Sequence, residues 1–422
     1  MKRLLRSLLL AVLAAAPLSA GTIAHIPEPA RFEWKLDAAA LAKAEAYTST
    51  NGCGFDLGTR PSAAGQPFFF SVAVPEGNYR VTVTFGDDHA VSATTVKAES
   101  RRLMVESVTT AAGESAARTF IVNVRTAGLP PPPKNAPGGN SVVLIPGEQG
   151  SLTWDEKLTL EFSGPAPRIR ALEVKWIEAP TVFLAGDSTV TDQRGEPGAS
   201  WGQMLPRFLG PDVAVANHAE SGETLKSFLT GLRLAKVLSQ IKPGDYLFIQ
   251  FGHNDQKKQW PQTYAEARTT YTDYLRAYIA EARLRGATPV LVTSVQRRMF
   301  DATGHIKDSL GDYPQAVREV AAAEHVALID LTRMSTAFYE ALGPACAPLA
   351  FNDGGRDITH HDNYGAYELA KCVAQGIRDA HLPLAASLAQ DFTGFDPAHP
   401  DAPETFHLPA SPVHRDAALR GN

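Results

Sequence analysis

Five residues of this 422-residue chain have the types and the order that acyl transfer through a serine requires. Ser188 offers a hydroxyl, His360 an imidazole to take its proton, and Asp357 a carboxylate to orient that imidazole. Asp357 precedes His360 by three positions, so one turn of backbone can point both side chains the same way. The Ser188 N–H, the Gly222 N–H and the Asn254 side-chain amide are candidate donors to an oxyanion. Gly222 has no side chain, which lets substrate approach its backbone closely.

Each residue taken alone has a plainer reading. Gly186-Asp187-Ser188 is a tripeptide common in turns, Asn254 is of a type that favours turns, and Asp357 is of a type that caps helices. His361 is the alternative base; the spacing to Asp357 favours His360. His253, beside Asn254, reads as a structural neighbour. His360, His361 and Asp362 are all of metal-ligating types, but adjacent histidines project in different directions and no further cluster supports them, so neither a metal nor a cofactor is expected. Lys257, Arg297 and Arg298 are candidates to hold uronate carboxylates through charge-assisted bonds, and His361 is a further candidate substrate contact.

Two textures along the chain show what must position these residues. From about 31 to 178 apolar residues alternate with polar ones: in Tyr79-Arg-Val-Thr-Val-Thr-Phe85 the residues Tyr79, Val81, Val83 and Phe85 share one face. TFIVNVR, KLTLEF and ALEVKWI repeat the pattern between turn-forming Gly, Pro, Asn and Asp, which predicts an N-terminal β-sandwich. From about 181 to 385, continuous apolar runs (VFLAG, DVAVAN, DYLFIQFG, TPVLVTS, VALIDLT) alternate with helical patterns. That predicts an α/β domain with a parallel sheet covered on both faces. Expected helices include SWGQMLPRFL, TLKSFLTGLRLAKVLSQI, the long stretch YAEARTTYTDYLRAYIAEARLRG, PQAVREVAAAEH and a last helix in NYGAYELAKCVAQGIRDA. Ligands of open α/β sheets bind beyond the carboxyl ends of the strands. The segments after the apolar runs, at 186–188, 217–222, 252–255 and 294–298, together with 357–360, should therefore meet at one rim. Residues 386–422, rich in Pro, Asp and His, are expected to form an irregular tail.

The blocks Gly186-Asp-Ser188, Gly222, Gly252-His-Asn-Asp255 and Asp357-Ile-Thr-His360, in that order, resemble those of the SGNH or GDSL hydrolases. FLAGDSTVTDQ, SWGQML, FGHNDQK and DITHHDNYGAYELAK resemble more narrowly the rhamnogalacturonan acetylesterase group. GFDLG, EGNYRVTVTFGD and ESRRLMVE resemble the accessory galactose-binding-like domain of its bacterial members. The resemblance implies a flavodoxin-like three-layer catalytic domain. It implies Ser188 as nucleophile, Gly222 and Asn254 as oxyanion donors, His360 as base and Asp357 as its partner. It implies an acetylated plant cell-wall polysaccharide, rhamnogalacturonan, as substrate. An acetyl-xylan esterase, another GDSL esterase or lipase, and a non-catalytic carbohydrate-binding protein are the alternative readings. One departure stands out: many members carry an arginine after the second-block glycine, and this chain has Glu223.

Composition narrows the setting. Lys2, Arg3 and Arg6 precede the apolar run Leu8 to Ala16 and small residues up to Ala20, the order of a secretory signal peptide spanning 1–20. That run falls short of the roughly 20 apolar residues of a membrane span, and no later segment reaches that length, so a secreted or periplasmic protein without a span is expected. Leu18 occupies a place where a small residue is preferred, and an uncleaved anchor is the alternative. A net charge of −5 with no basic block argues against nucleic acid. Three cysteines, Cys53, Cys346 and Cys372, allow at most one internal disulfide, and with no C-x-x-C there is little case for structural zinc.

Overall fold

The computed structural model describes residues 33–62 and 65–412. The signal-peptide reading of 1–20 lies outside those residues, as do the first residues of the expected β region and the last ten of the tail.

The alternating segments form two antiparallel sheets. One has the order β1 (Glu33–Leu36), β9 (Ile169–Ile177), β4 (Gly77–Gly86), β7 (Ser115–Val124). The other runs β2 (Cys53–Asp56), β3 (Phe68–Ala73), β8 (Lys157–Ala166), β5 (Ser92–Ala98), β6 (Arg102–Thr110). Period-two patterning sends Tyr79, Val81, Val83 and Phe85 inward while Arg80 stays exposed. They meet Phe68, Phe70, Val72, Leu158, Leu160 and Phe162 of the facing sheet in one core. Each such side chain contributes roughly 1.5–3 kcal/mol of burial, which sets the strand register, because a one-residue slip would turn the whole set outward. Phe69 points to the opposite face of its strand and is buried there, on a small cavity that Arg194 also lines.

The second half is a three-layer α/β unit. Its sheet has the order β12 (Ala214–Asn217), β10 (Thr181–Gly186), β13 (Tyr246–Gln250), β14 (Thr288–Val292), β15 (Ala327–Ile329), with every pairing parallel. Val182 and Leu184 face one core with Trp201, Phe338, Leu369 and Val373; Phe183 and Ala185 face the other with Phe228, Tyr271, Tyr278 and Val317. A strand buried on both faces reads as a continuous apolar run, which is why VFLAG shows no alternation.

A short helix, α1 (Ala38–Lys43), lies between β1 and β2, and several of the later helices differ from expectation. SWGQMLPRFL is one helical turn, α2 (Trp201–Met204), passing into a 3₁₀ turn at Pro206. The stretch from Leu225 divides into α3 (Leu225–Thr230) and α4 (Arg233–Leu238), because Leu232 takes a left-handed φ of 64°. The long stretch begins its helix only at Thr270, as α5 (Thr270–Leu284). Helix α6 (Tyr313–Glu324) and the terminal α8 (Asn363–Asp379) lie where expected. Between them runs an unforeseen helix, α7 (Leu331–Cys346), capped by the Asp330 side chain on the Arg333 N–H. Its signal was present in Leu331, Met334 and Phe338, an apolar stripe of helical spacing behind a capping Asp.

The described part of the tail binds both halves: Lys97 Nζ donates to Pro409 O at 2.6 Å, and Arg378 donates to the carbonyls of Phe392 and Thr393. The three cysteines are unpaired thiols, with Cys372 buried in α8. Among the described residues no helix is long and apolar enough to cross a membrane.

Candidate active site

Strand β10 ends at Gly186, where a side chain would meet Val190 Cβ at 2.8 Å, so the chain can turn tightly there only as glycine. Asp187 then binds the turn from inside, accepting the Thr189 N–H at 3.0 Å and the Thr189 hydroxyl at 2.8 Å. This fixes Ser188 at the mouth of the loop. The Gln193 side chain donates to Ser188 O at 2.7 Å from the far end of the same loop.

The acid–base arm comes from the segment before α8. Asp357 Oδ1 accepts the N–H groups of Thr359 and His360 at 2.7 and 2.9 Å, folding the segment into one turn. Asp357 Oδ2 receives His360 Nδ1 at 2.8 Å, and His360 Nε2 lies 2.9 Å from Ser188 Oγ. With the proton on Nδ1, Nε2 is the acceptor for the serine hydroxyl. Burial alone would raise the Asp357 carboxyl; the bonds from His360 and the two backbone N–H groups overcome this and hold it well below the usual carboxylate range. It therefore stays ionised beside the imidazole.

The candidate oxyanion donors are the Ser188 and Gly222 N–H groups and the Asn254 amide. Gly222 has φ +83°, a left-handed conformation, and a side chain there would meet no atom within 4 Å, so the space beside its Cα is open. Among the described residues neither the Ser188 nor the Gly222 N–H donates to a protein acceptor. Asn254 Nδ2 donates one hydrogen to Glu223 O at 3.0 Å and has a second one to give. His253 bridges inward, with Nε2 at 2.9 Å from Val295 O and Nδ1 at 3.4 Å from Asp187 Oδ2. The strand-end segments thus meet through direct contacts.

The candidate substrate contacts divide. Lys257 lies over the ring of Trp260, Nζ 3.9 Å from its centroid, and Trp260 is 42% exposed. Arg297 is held by neutral groups: Ser309 O at 3.0 Å and the Gln256 carboxamide oxygen at 3.1 Å in the orientation that satisfies both. Burial, and then the Arg297 charge, lowers the Lys257 pKa, so two cations share this edge. Arg298 turns instead to the acid–base arm, donating to the carbonyls of Gly355 and Asp357. His361 is a correction: it is buried, hydrogen-bonded to Tyr339 Oη at 2.6 Å, and does not reach the rim. Adjacent residues on a short strand point to opposite faces, and the Ala199↔His361 pairing of β11 (Gly198–Ala199) with β16 (His361–Asp362) turns this one inward. Burial, then the His360 charge, pushes its pKa down to about 3, so it is neutral. Gln193 and Trp260 were not foreseen. Gln193 is the last residue of the run FLAGDSTVTDQ, of a type that does no acid–base chemistry, and Trp260 lies outside every quoted block. Among the described residues no group of three or more His, Cys, Asp and Glu side chains is placed to hold a metal ion.

A parallel α/β sheet whose first strand leads, two residues past its end, to a serine hydrogen-bonded in series to a histidine and an aspartate defines the class of serine-dependent carboxylic-ester hydrolases. Residues 184–366 match the GDSL-like lipase/acylhydrolase family, and the chain belongs to it. It is 43% identical over 216 residues to the rhamnogalacturonan acetylesterase RhgT of Bacillus subtilis, a match covering 48% of this chain and 91% of that one. It is 41% identical over 215 residues to the probable rhamnogalacturonan acetylesterase YesY of the same organism, covering 50% and 98%. An uncharacterized esterase, YxiM, also of Bacillus subtilis, is 29% identical over 315 residues, covering 73% of this chain and 74% of its own.

Proposed function

We propose that this protein removes acetyl groups from an acidic pectic polysaccharide of the rhamnogalacturonan type, outside the cytoplasm. The observation that carries the catalytic reading is the relay from Asp357 through His360 to Ser188, with bonds of 2.8 and 2.9 Å. The relatives named rhamnogalacturonan acetylesterase support the substrate. So does the edge formed by Lys257, Arg297 and the exposed Trp260: two cations and a flat aromatic face suit a uronate-bearing sugar chain. The basic and apolar N-terminal run supports export.

In this reading Ser188 Oγ attacks the acetyl carbonyl carbon while its proton passes to His360 Nε2. The carbonyl oxygen becomes an oxyanion between the Ser188 N–H, the Gly222 N–H and the Asn254 amide. The bond to the sugar oxygen breaks, and His360 returns the proton to that oxygen. Water, deprotonated by His360, then attacks the acetyl-serine. Acetate leaves, and the proton goes back to Ser188.

Acetate release from acetylated rhamnogalacturonan, acetylated xylan and p-nitrophenyl acetate, each with wild type and Ser188→Ala, tests the proposal. The expected order is rhamnogalacturonan first, with activity abolished by the substitution. Xylan as the preferred substrate would remove the pectin assignment; no release from any of the three would remove the esterase.

A further inference from the structure

Glu223 stands where the family resemblance leads one to expect an arginine, and its side chain points away from the rim. Glu223 Oε1 accepts from Arg233 Nε at 3.0 Å, and Oε2 accepts the Ser227 hydroxyl. Arg233 is fully buried at the first turn of α4, and its other arm is paired with Glu148. Glu148 belongs to the connection between β7 and β8 of the sandwich half and is itself buried. There it accepts the Ile145 N–H at 3.0 Å and the Trp154 indole N–H at 2.8 Å. The Trp154 ring is in turn covered by Arg125, whose guanidinium carbon lies 4.6 Å from the centroid. Burial by itself disfavours the Arg233 charge; Glu148 and then Glu223 more than offset this, so the three side chains form a charged unit that is stable only when complete.

At the far end of the unit is the oxyanion side of the site. Glu223 follows Gly222 directly, and its main-chain carbonyl accepts from Asn254 Nδ2 at 3.0 Å. We propose that Glu148 is a positioning residue for the oxyanion hole: through Arg233 it fixes Glu223, and so aims the Asn254 amide and the Gly222 N–H. The sandwich half is then a working part of the esterase site. This role rests on the serine-esterase reading above. Donors to an oxyanion act by being already in place when charge develops, and the segment carrying Gly222 has a left-handed glycine at its centre, so an external tether is what keeps it from relaxing.

A residue that merely cements the two halves would affect stability and leave turnover alone, so the test separates the two. Glu148→Ala is assayed on p-nitrophenyl acetate below its unfolding temperature, alongside inhibition by a short alkylboronic acid, a tetrahedral mimic that fills the oxyanion hole. Expected is a kcat reduced about tenfold to a hundredfold with KM within about twofold, and boronate affinity weakened by a similar factor. Glu148→Gln keeps the volume and one acceptor oxygen, so that it holds one of the Ile145 and Trp154 N–H groups while losing the charge toward Arg233, and it is the variant that decides if the alanine form does not fold; its kcat should fall about threefold to tenfold, and Glu148→Asp should recover part of the loss. A kcat equal to wild type in the folded variants, whatever their melting temperature, overturns the proposal. Wild type inactive on p-nitrophenyl acetate would instead sink the esterase reading on which it rests.

Discussion

The two arms that meet at Ser188 are supported from opposite directions. The acid–base arm, residues 352–360, is held by its own half of the chain. Asn352 N donates to His360 O at 2.9 Å, Arg298 N donates to Ile358 O at 2.8 Å, and the Arg298 guanidinium binds two further carbonyls of the arm. The nucleophile loop and the oxyanion segment lean on the sandwich. Arg102 pairs with Asp192 at 2.6 Å with both side chains buried, Arg101 donates to Gly198 O at 2.7 Å and Gln193 O at 3.1 Å, and Glu148 reaches Glu223 through Arg233. The difference follows from what each arm does. In the proposed reaction His360 takes a proton and gives it back, and it sits on a partly exposed rim, its side chain 32% accessible. The donors must not move as charge forms, and they are backed by a dry wall of paired charges, where electrostatic interactions are strong and reorganisation is small.

Substitutions on the two sides test that contrast. The largest expected effect is on the acid–base arm: Asp357→Asn leaves the fold in place but removes the charge that orients the imidazole, so kcat should fall by about 10²–10⁴ with KM little changed. Steady-state kinetics on a short acetyl ester reads this directly, and an unaltered kcat would take Asp357 out of the relay. Next comes Arg102→Met, which strands buried Asp192 and should cost about 3–5 kcal/mol in urea unfolding, whereas Arg298→Met on the rim should cost no more than about 1 kcal/mol. Equal costs would erase the distinction between a dry wall and a wet rim.

The smallest effect is a pH dependence. The folded-state pKa of Asp357 is depressed, so its contribution is complete above the unfolded carboxylate value near 4 and is lost as pH falls below it. Wild type should therefore lose on the order of 1–3 kcal/mol more than Asp357→Asn between about pH 5 and pH 2, measured by chemical unfolding across that range. Parallel stability curves for the two proteins would show that the pair contributes nothing to folding.

Much of the scaffold is legible along the chain because it is set by periodicities. Alternation over Tyr79 to Phe85 and continuous burial over Val182 to Ala185 follow from which faces of a strand are covered, and each pattern is complete within a few residues. Helix ends were less legible. The break at Leu232 follows Gly231, the C-cap of α3, a glycine that inside a helical pattern need not end a helix, and α7 has a cap and an apolar stripe that mark it only once its strand is placed. Of the contacts proposed at the rim, Arg298 and His361 turned out to serve the protein itself, because which way a side chain points on a short strand or loop depends on pairing partners far away in sequence.

By itself the sequence determined the α/β unit with its preceding antiparallel sheets, and it named Ser188, Asp357, His360, Gly222 and Asn254 as a candidate set, of which the first three are hydrogen-bonded in series. Their types and order constrain the chemistry locally: a carboxylate and an imidazole three positions apart need only one turn to meet. The tertiary structure alone decided what holds that set in place. Glu148 and Arg233 lie 85 residues apart, and Arg102 and Asp192 lie 90 apart. Charges so far separated carry no pattern by which one predicts the other; only packing one half of the chain against the other brings them together in a space too dry for either to stand alone.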